Sequence, residues 1–136
     1  MNPFSGFREI GFAQSIGVFL PVYDRYVGTR GDRYIDHASE LDRLQAEVDG
    51  FRHPVFGSIR GRLVAFEQLR ARLVAMVDMQ RVALRIATFA RTHGACPTAL
   101  TDHAPADLVL PLGPLRLDTC TLRVGQGNLE VSVRGR

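Results

Sequence analysis

Residues 58–97 read SIRGRLVAFEQLRARLVAMVDMQRVALRIATFARTHGACP, and this stretch decides the fold. From Ser58 to His93 there is no proline, and the one glycine, Gly61, lies at the start. Ser58 is a suitable N-cap for the free amides of a first turn. Apolar residues recur along the run, including Leu63, Val64, Phe66, Leu69, Leu73, Val74, Met76, Val77, Met79, Val82, Leu84, Ile86 and Phe89. Placed at 100° per residue they cover nearly the full circle, which predicts one long helix, about 58–93, buried on several sides at the centre of the fold. Arg60, Arg62, Arg70, Arg81, Arg85 and Arg91 fall in roughly one half of that circle. Their stems can lie on apolar surface while the guanidinium groups stay wet, so they read as a solvated face. His93 favours the C-terminal dipole when protonated, Gly94 suits the left-handed residue after a helix, and Pro97 blocks continuation.

Upstream, Ile10, Phe12, Ile16, Val18, Phe19, Val22 and Tyr26 space loosely as a first helix, with Pro21 expected to kink it. After Gly28-Thr29-Arg30-Gly31 a second helix is expected, capped by Thr29 or Asp32. Its stripe is Tyr34, Ala38, Leu41, Leu44 and Val48, it stops at Gly50, and its acids are positioned to face arginines of the long helix. Downstream, Asp107 to Pro114 reads as an extended connector. The apolar phase shifts between Leu117 and Cys120, which marks a turn or bulge at Asp118-Thr119. Gly125-Gln126-Gly127-Asn128 is a hairpin signal, and Leu129, Val131 and Val133 alternate with polar residues as a half-buried strand. The expectation is therefore a single α+β domain over 1–136: a helical part at 1–57, then a long helix with a small antiparallel sheet at 58–136.

The chain has 136 residues, 46% apolar and 23% charged, enough to bury a core without staples. All 17 basic residues are Arg, and the net charge is +3. With no Lys there is no Schiff-base chemistry and no P-loop lysine. Arginine forks suit phosphate, so an arginine-rich nucleic-acid or polyanion binder is one reading. Against it, the arginines lie along the whole chain with acids between them, not in a patch. The longest apolar tract, Ile10 to Tyr23, is interrupted by Gln14, Ser15 and Pro21 and falls short of a membrane span. Compartment stays open between the cytoplasm and a bacterial envelope.

Candidate chemistry clusters after the long helix. His93, Cys96, His103 and Cys120 are the soft ligands from which a tetrahedral zinc site would have to be built, but only His93 and Cys96 form a tight pair. Cys96 and Cys120 are alternatively a disulfide tying the loop to the hairpin, or two unrelated thiols. A Cys96 nucleophile would need an exposed thiol and a positioned base, and no third orienting group stands out. No catalytic residue, cofactor site or metal site is assigned on these patterns.

Phe89, His93-Gly94, Pro97 and the repeated prolines of Leu110-Pro111-Leu112-Gly113-Pro114 carry a resemblance over about residues 58–136. The layout resembles the C-terminal region of type II secretion major pseudopilins and related bacterial envelope proteins. In those, a long helix ending in an aromatic and His-Gly leads through a proline segment to a short antiparallel sheet. Cys96 stands where the family has a second aromatic, and the calcium-binding acids of the family's sheet loop have no equivalents here. The family's membrane helix and prepilin cleavage motif also lack counterparts. The resemblance thus implies a non-enzymatic interaction or structural module of an envelope or secretion assembly, acting with protein partners or by self-association, and not an ordinary filament subunit.

Overall fold

The computed structural model describes residues 17, 20–28, 33–50, 62–125 and 129–133. Helix α1 covers 20–28, α2 covers Tyr34–Gly50 and α3 covers Arg62–His93. Strands β1 (Leu115–Asp118), β2 (Thr121–Val124) and β3 (Glu130–Ser132) form an antiparallel sheet in the order β1-β2-β3. The architecture is α+β, with a long helix and the helices N-terminal to the sheet. Ser58, Thr29, Asp32, most of the expected first helix and residues 126–128 of the second hairpin lie outside the described residues.

The chain forms two compact units. In the first, α1, nearly all of α2 and the start of α3 surround Val22, Leu44 and Val48, with Tyr26 and Leu63 against them. Leu41, Leu44 and Val48 recur at helical spacing, so α2 buries the stripe its sequence predicts. Two of its acids, Glu40 and Glu47, meet an arginine of α1 where arginines of the long helix were expected. Arg25 of α1 donates to Glu40 through Nε and Nη2 and to Glu47 through Nη1, at 2.7 to 3.1 Å. Those hydrogen bonds raise the Arg25 pKa and lower that of Glu40.

The first amides of α3 are capped from another helix. Gln45, 9% exposed, accepts the N–H of Leu63 at 2.8 Å and of Val64 at 3.1 Å through Oε1. Its Nε2 donates to Asp49 at 2.8 Å, so both ends of the amide are engaged. A buried amide serving two orphan helix donors is the tertiary counterpart of an N-cap. Gln45→Ala is expected to lower unfolding free energy by about 1–2 kcal/mol. Urea titration followed by far-UV circular dichroism checks this, and an unchanged midpoint would mean that water replaces the side chain without loss.

In the second unit α3 packs on the sheet. Ala71, Ala75, Met79, Val82, Ala83 and Ile86 share a core with Leu112, Leu122, Val124 and Val133. The expectation that α3 is buried on several sides is corrected here. Leu69, Leu73, Met76, Val77 and Leu84 are 48% to 69% exposed. The helix buries a sector rich in alanine, where backbones approach closely and packing is dense, and leaves large aliphatic side chains outside.

The helix ends as its sequence dictates: Gly94 has φ +76° and its N–H donates to the Ala90 carbonyl at 2.8 Å. The 100–104 segment makes one turn, with the amides of His103 and Ala104 both on the Leu100 carbonyl. The connector is folded where an extended one was expected. Leu110 has φ +50° and Gly113 φ +100°, and the Gly113 N–H closes on the Leu110 carbonyl at 3.1 Å. Two groups pin this turn: the Asp78 carboxyl accepts the Leu110 N–H at 2.9 Å, and the Pro111 carbonyl accepts the Ile35 N–H at 3.0 Å.

The phase shift near Asp118 is a two-residue hairpin turn. Thr119 (φ +44°) and Cys120 (φ +65°) both lie in the left-handed region, as a tight I′-type connection requires. Asp118 then pairs with Thr121 and Leu117 with Leu122, so the turn falls at Thr119-Cys120, one residue beyond the Asp118-Thr119 expected, and the strand starts at Thr121. Leu122 also faces Val131 across β3, which puts Leu117, Leu122 and Val131 in one row on the core side. Arg116, Arg123 and Glu130 make the matching outer row.

Candidate functional site

Cys96 and Cys120 are joined by a disulfide, with Cα atoms 5.8 Å apart, so the bridge ties the segment after α3 to the β1–β2 turn. Both thiols are thereby consumed, and neither a tetrahedral His93, Cys96, His103, Cys120 site nor a Cys96 nucleophile is assembled in this state. The two histidines are held by an aromatic ring. His93 stacks on Phe89 with centroids 4.0 Å apart, and His103 meets the same ring edge-on at 4.8 Å. The Nδ1 of His93 is 3.0 Å from the Phe89 carbonyl. This trio finishes the helix and seats the loop after it. Among the described residues, no group of three or more His, Cys, Asp and Glu is placed to hold a metal ion.

An open hollow of about 530 Å³ lies beside the disulfide, walled by Pro97, Thr98, Leu117 and Thr119. Its one ionisable wall residue outside the bridge is Asp118, whose carboxylate accepts the Thr119 hydroxyl at 3.1 Å. The hydrogen bond serves the turn.

The surface with the most distinct chemistry is the outer face of α3. Leu73 follows Leu69 by four residues, Met76 and Val77 follow Leu73 by three and four, and Leu84 follows Val77 by seven, so they form one stripe along one side. The apolar surface is therefore contiguous along one side of the helix and not scattered singly. The acids of α3 are elsewhere. Glu67 and Asp78, the only two, are each 3% exposed and sit on the buried side. Glu67 takes the Arg70 Nε at 2.8 Å, and Arg81 reaches Asp107 at 2.9 Å. The Arg81 guanidinium holds the Asp107 carboxyl below its usual range, so much of that arginine's charge is answered within the chain. Arg72, Arg85 and Arg91 are exposed and in no ion pair among the described residues.

The residues that give this face its character were all visible in the sequence, but their side was not. Gln45 and Asp78 are the positioning groups that pattern alone missed, and for Phe89, His93 and His103, each singled out in the sequence, it missed the joint packing. Only the aromatic-His spacing of four at Phe89 and His93, one helical turn, carried a local signal. Among the described residues, no helix is long and apolar enough to cross a membrane. No protein-family model, no curated protein and no solved structure matches the chain.

Proposed function

We propose that this chain is a non-catalytic protein-interaction module, working within a bacterial envelope or secretion-related assembly. The observation that carries the reading is the stripe of exposed large aliphatic side chains on α3, since soluble surfaces seldom leave such a contiguous apolar strip unused. Further support comes from the order of parts. A long helix closes on His93-Gly94, a proline-bearing connector follows, and a three-stranded antiparallel sheet ends the chain, the layout that resembles pseudopilin C-terminal regions. The disulfide adds to this, because such bridges persist mainly in oxidising compartments.

Fractionation of native cells tests the reading. The protein is expected to pellet with the envelope and to stay there through a high-salt wash, because apolar contacts survive screening. Leu73→Asp is expected to release it to the soluble fraction. A protein found in the cytosol, or one washed off by salt, would sink the proposal; salt release would point instead to a polyanion-binding role.

A further inference from the structure

Leu69, Leu73, Met76 and Gln80 follow the four-three-four spacing of a coiled-coil seam, and Val77 and Leu84 widen it on one side. At 1.5 Å per residue the stretch from Leu69 to Leu84 is roughly 23 Å long, the footprint of another helix of about sixteen residues. A seam this narrow suits a helix better than a bilayer, which takes a broad apolar face with its polar groups at the rim. Gln80 near the middle of the seam would sit badly among acyl chains but finds partners in a helix–helix contact.

Charge decides which helix. The stripe is bordered by Arg72 on one side and by Arg70 and Arg81 on the other, with Arg85 a step farther round and Arg91 continuing its line. Glu67 answers Arg70, and Asp107 answers Arg81 and feels the charge of Arg85 as well, while Arg72 and Arg91 are exposed and in no ion pair among the described residues. Glu67 and Asp78 are buried, so α3 itself exposes no carboxylate beside the stripe, and Asp107, from outside the helix, is already engaged by Arg81. Pairing two copies of this face would set arginines against arginines, which disfavours self-association through it. We propose that the α3 stripe docks an amphipathic partner helix whose apolar seam is flanked by Asp and Glu. This rests on the interaction-module reading and names the class of partner.

The test uses the full chain and two labelled synthetic helices of about three heptads with identical leucine seams. One carries Glu at the flanking positions, the other Arg. Fluorescence anisotropy is expected to show the Glu peptide bound at least about tenfold more tightly than the Arg peptide, with the gap shrinking in salt. Leu73→Asp should abolish binding, with Val77→Asp as a second variant. Both sites are exposed, so an unchanged far-UV spectrum accompanies the loss. The triple change Arg72→Glu, Arg85→Glu, Arg91→Glu should invert the preference. Equal affinity for the two peptides overturns the inference. So does tighter binding to phosphatidylglycerol vesicles than to either peptide, or self-association that Leu73→Asp abolishes. Equal affinity and self-association leave a protein-interaction module standing without an acidic partner helix, whereas vesicle binding replaces it with a lipid-surface role. Failure to bind any probe also overturns the inference, and it reaches the module reading only if the chain fractionates with the cytosol as well.

Discussion

A chain with Cys96→Ala and Cys120→Ala is expected to lose about 3 kcal/mol of stability in the unit built on the sheet. The bridge spans a sequence separation of 24 residues, and closing a loop of that length removes roughly this much conformational entropy from the unfolded chain. A local effect acts in the same direction. Thr119 and Cys120 occupy left-handed backbone without being glycine, and each such residue costs on the order of 1 kcal/mol or more. With Cys120 released, the turn has less to hold it there. The Val133 N–H donates to the Cys120 carbonyl at 2.7 Å, so its hydrogen exchange reports the turn directly. Protection at Val133 and Val124 should fall on the order of a hundredfold in the double variant, and similarly on reduction of the native chain. Adding Thr119→Gly to the bridge-free chain should return about 1 kcal/mol, because glycine adopts the left-handed region freely. Unchanged exchange on reduction would show that the cysteines do not constrain the hairpin.

The contrast between α3 and the sheet shows where sequence pattern is informative. Along the sheet, Leu129, Val131 and Val133 alternate strictly, and only one face of a strand can then be inside. The phase break at Leu117 and Cys120 located a turn, since two extra residues in the left-handed region restore alternation in Thr121–Val124. Gly94 was legible for a similarly local reason, because a helix followed by His-Gly-x-x-Pro has one economical way to stop. Along α3 the same logic fails. Its apolar residues surround the axis, so the wheel has no dry side to select, and size misleads: Phe66, Leu69 and Leu84 remain outside while Ala71, Ala75 and Ala83 are buried. Which sector faces the sheet depends on how closely the backbones can approach, a property of the assembled pair. Gln45 was illegible because its task, accepting two amides eighteen and nineteen residues away, has no local spacing. As a string, Cys96 and Cys120 fit a disulfide or two unrelated thiols, and with His93 and His103 they fit a metal site less well, so only placement separates the three.

Asp78→Ala is expected to cost about 2–3 kcal/mol, more than any single surface change in this chain. Asp78 lies on the buried side of α3, 3% exposed, and its carboxyl reaches 32 residues along the chain to the Leu110 N–H. That amide belongs to a leucine at φ +50°, a conformation that persists only when its surroundings over-determine it. The carboxyl is one such determinant and the Gly113 N–H on the Leu110 carbonyl is another. Truncating the side chain leaves the Leu110 N–H without its acceptor and lets the leucine relax toward negative φ. The Pro111 carbonyl, the next residue along, is then displaced from the Ile35 N–H it accepts at the start of α2. Asp78→Asn keeps an acceptor oxygen in the same place, so it should cost only about 1 kcal/mol. Urea unfolding of the two variants measures the difference, and exchange at Leu110 and Ile35 should accelerate together in the alanine variant. Equal losses in Asn and Ala would assign the cost to packing around residue 78 and remove the hydrogen bond from the account. Fast exchange at Leu110 with slow exchange at Ile35 would show that the two anchors of the connector act independently.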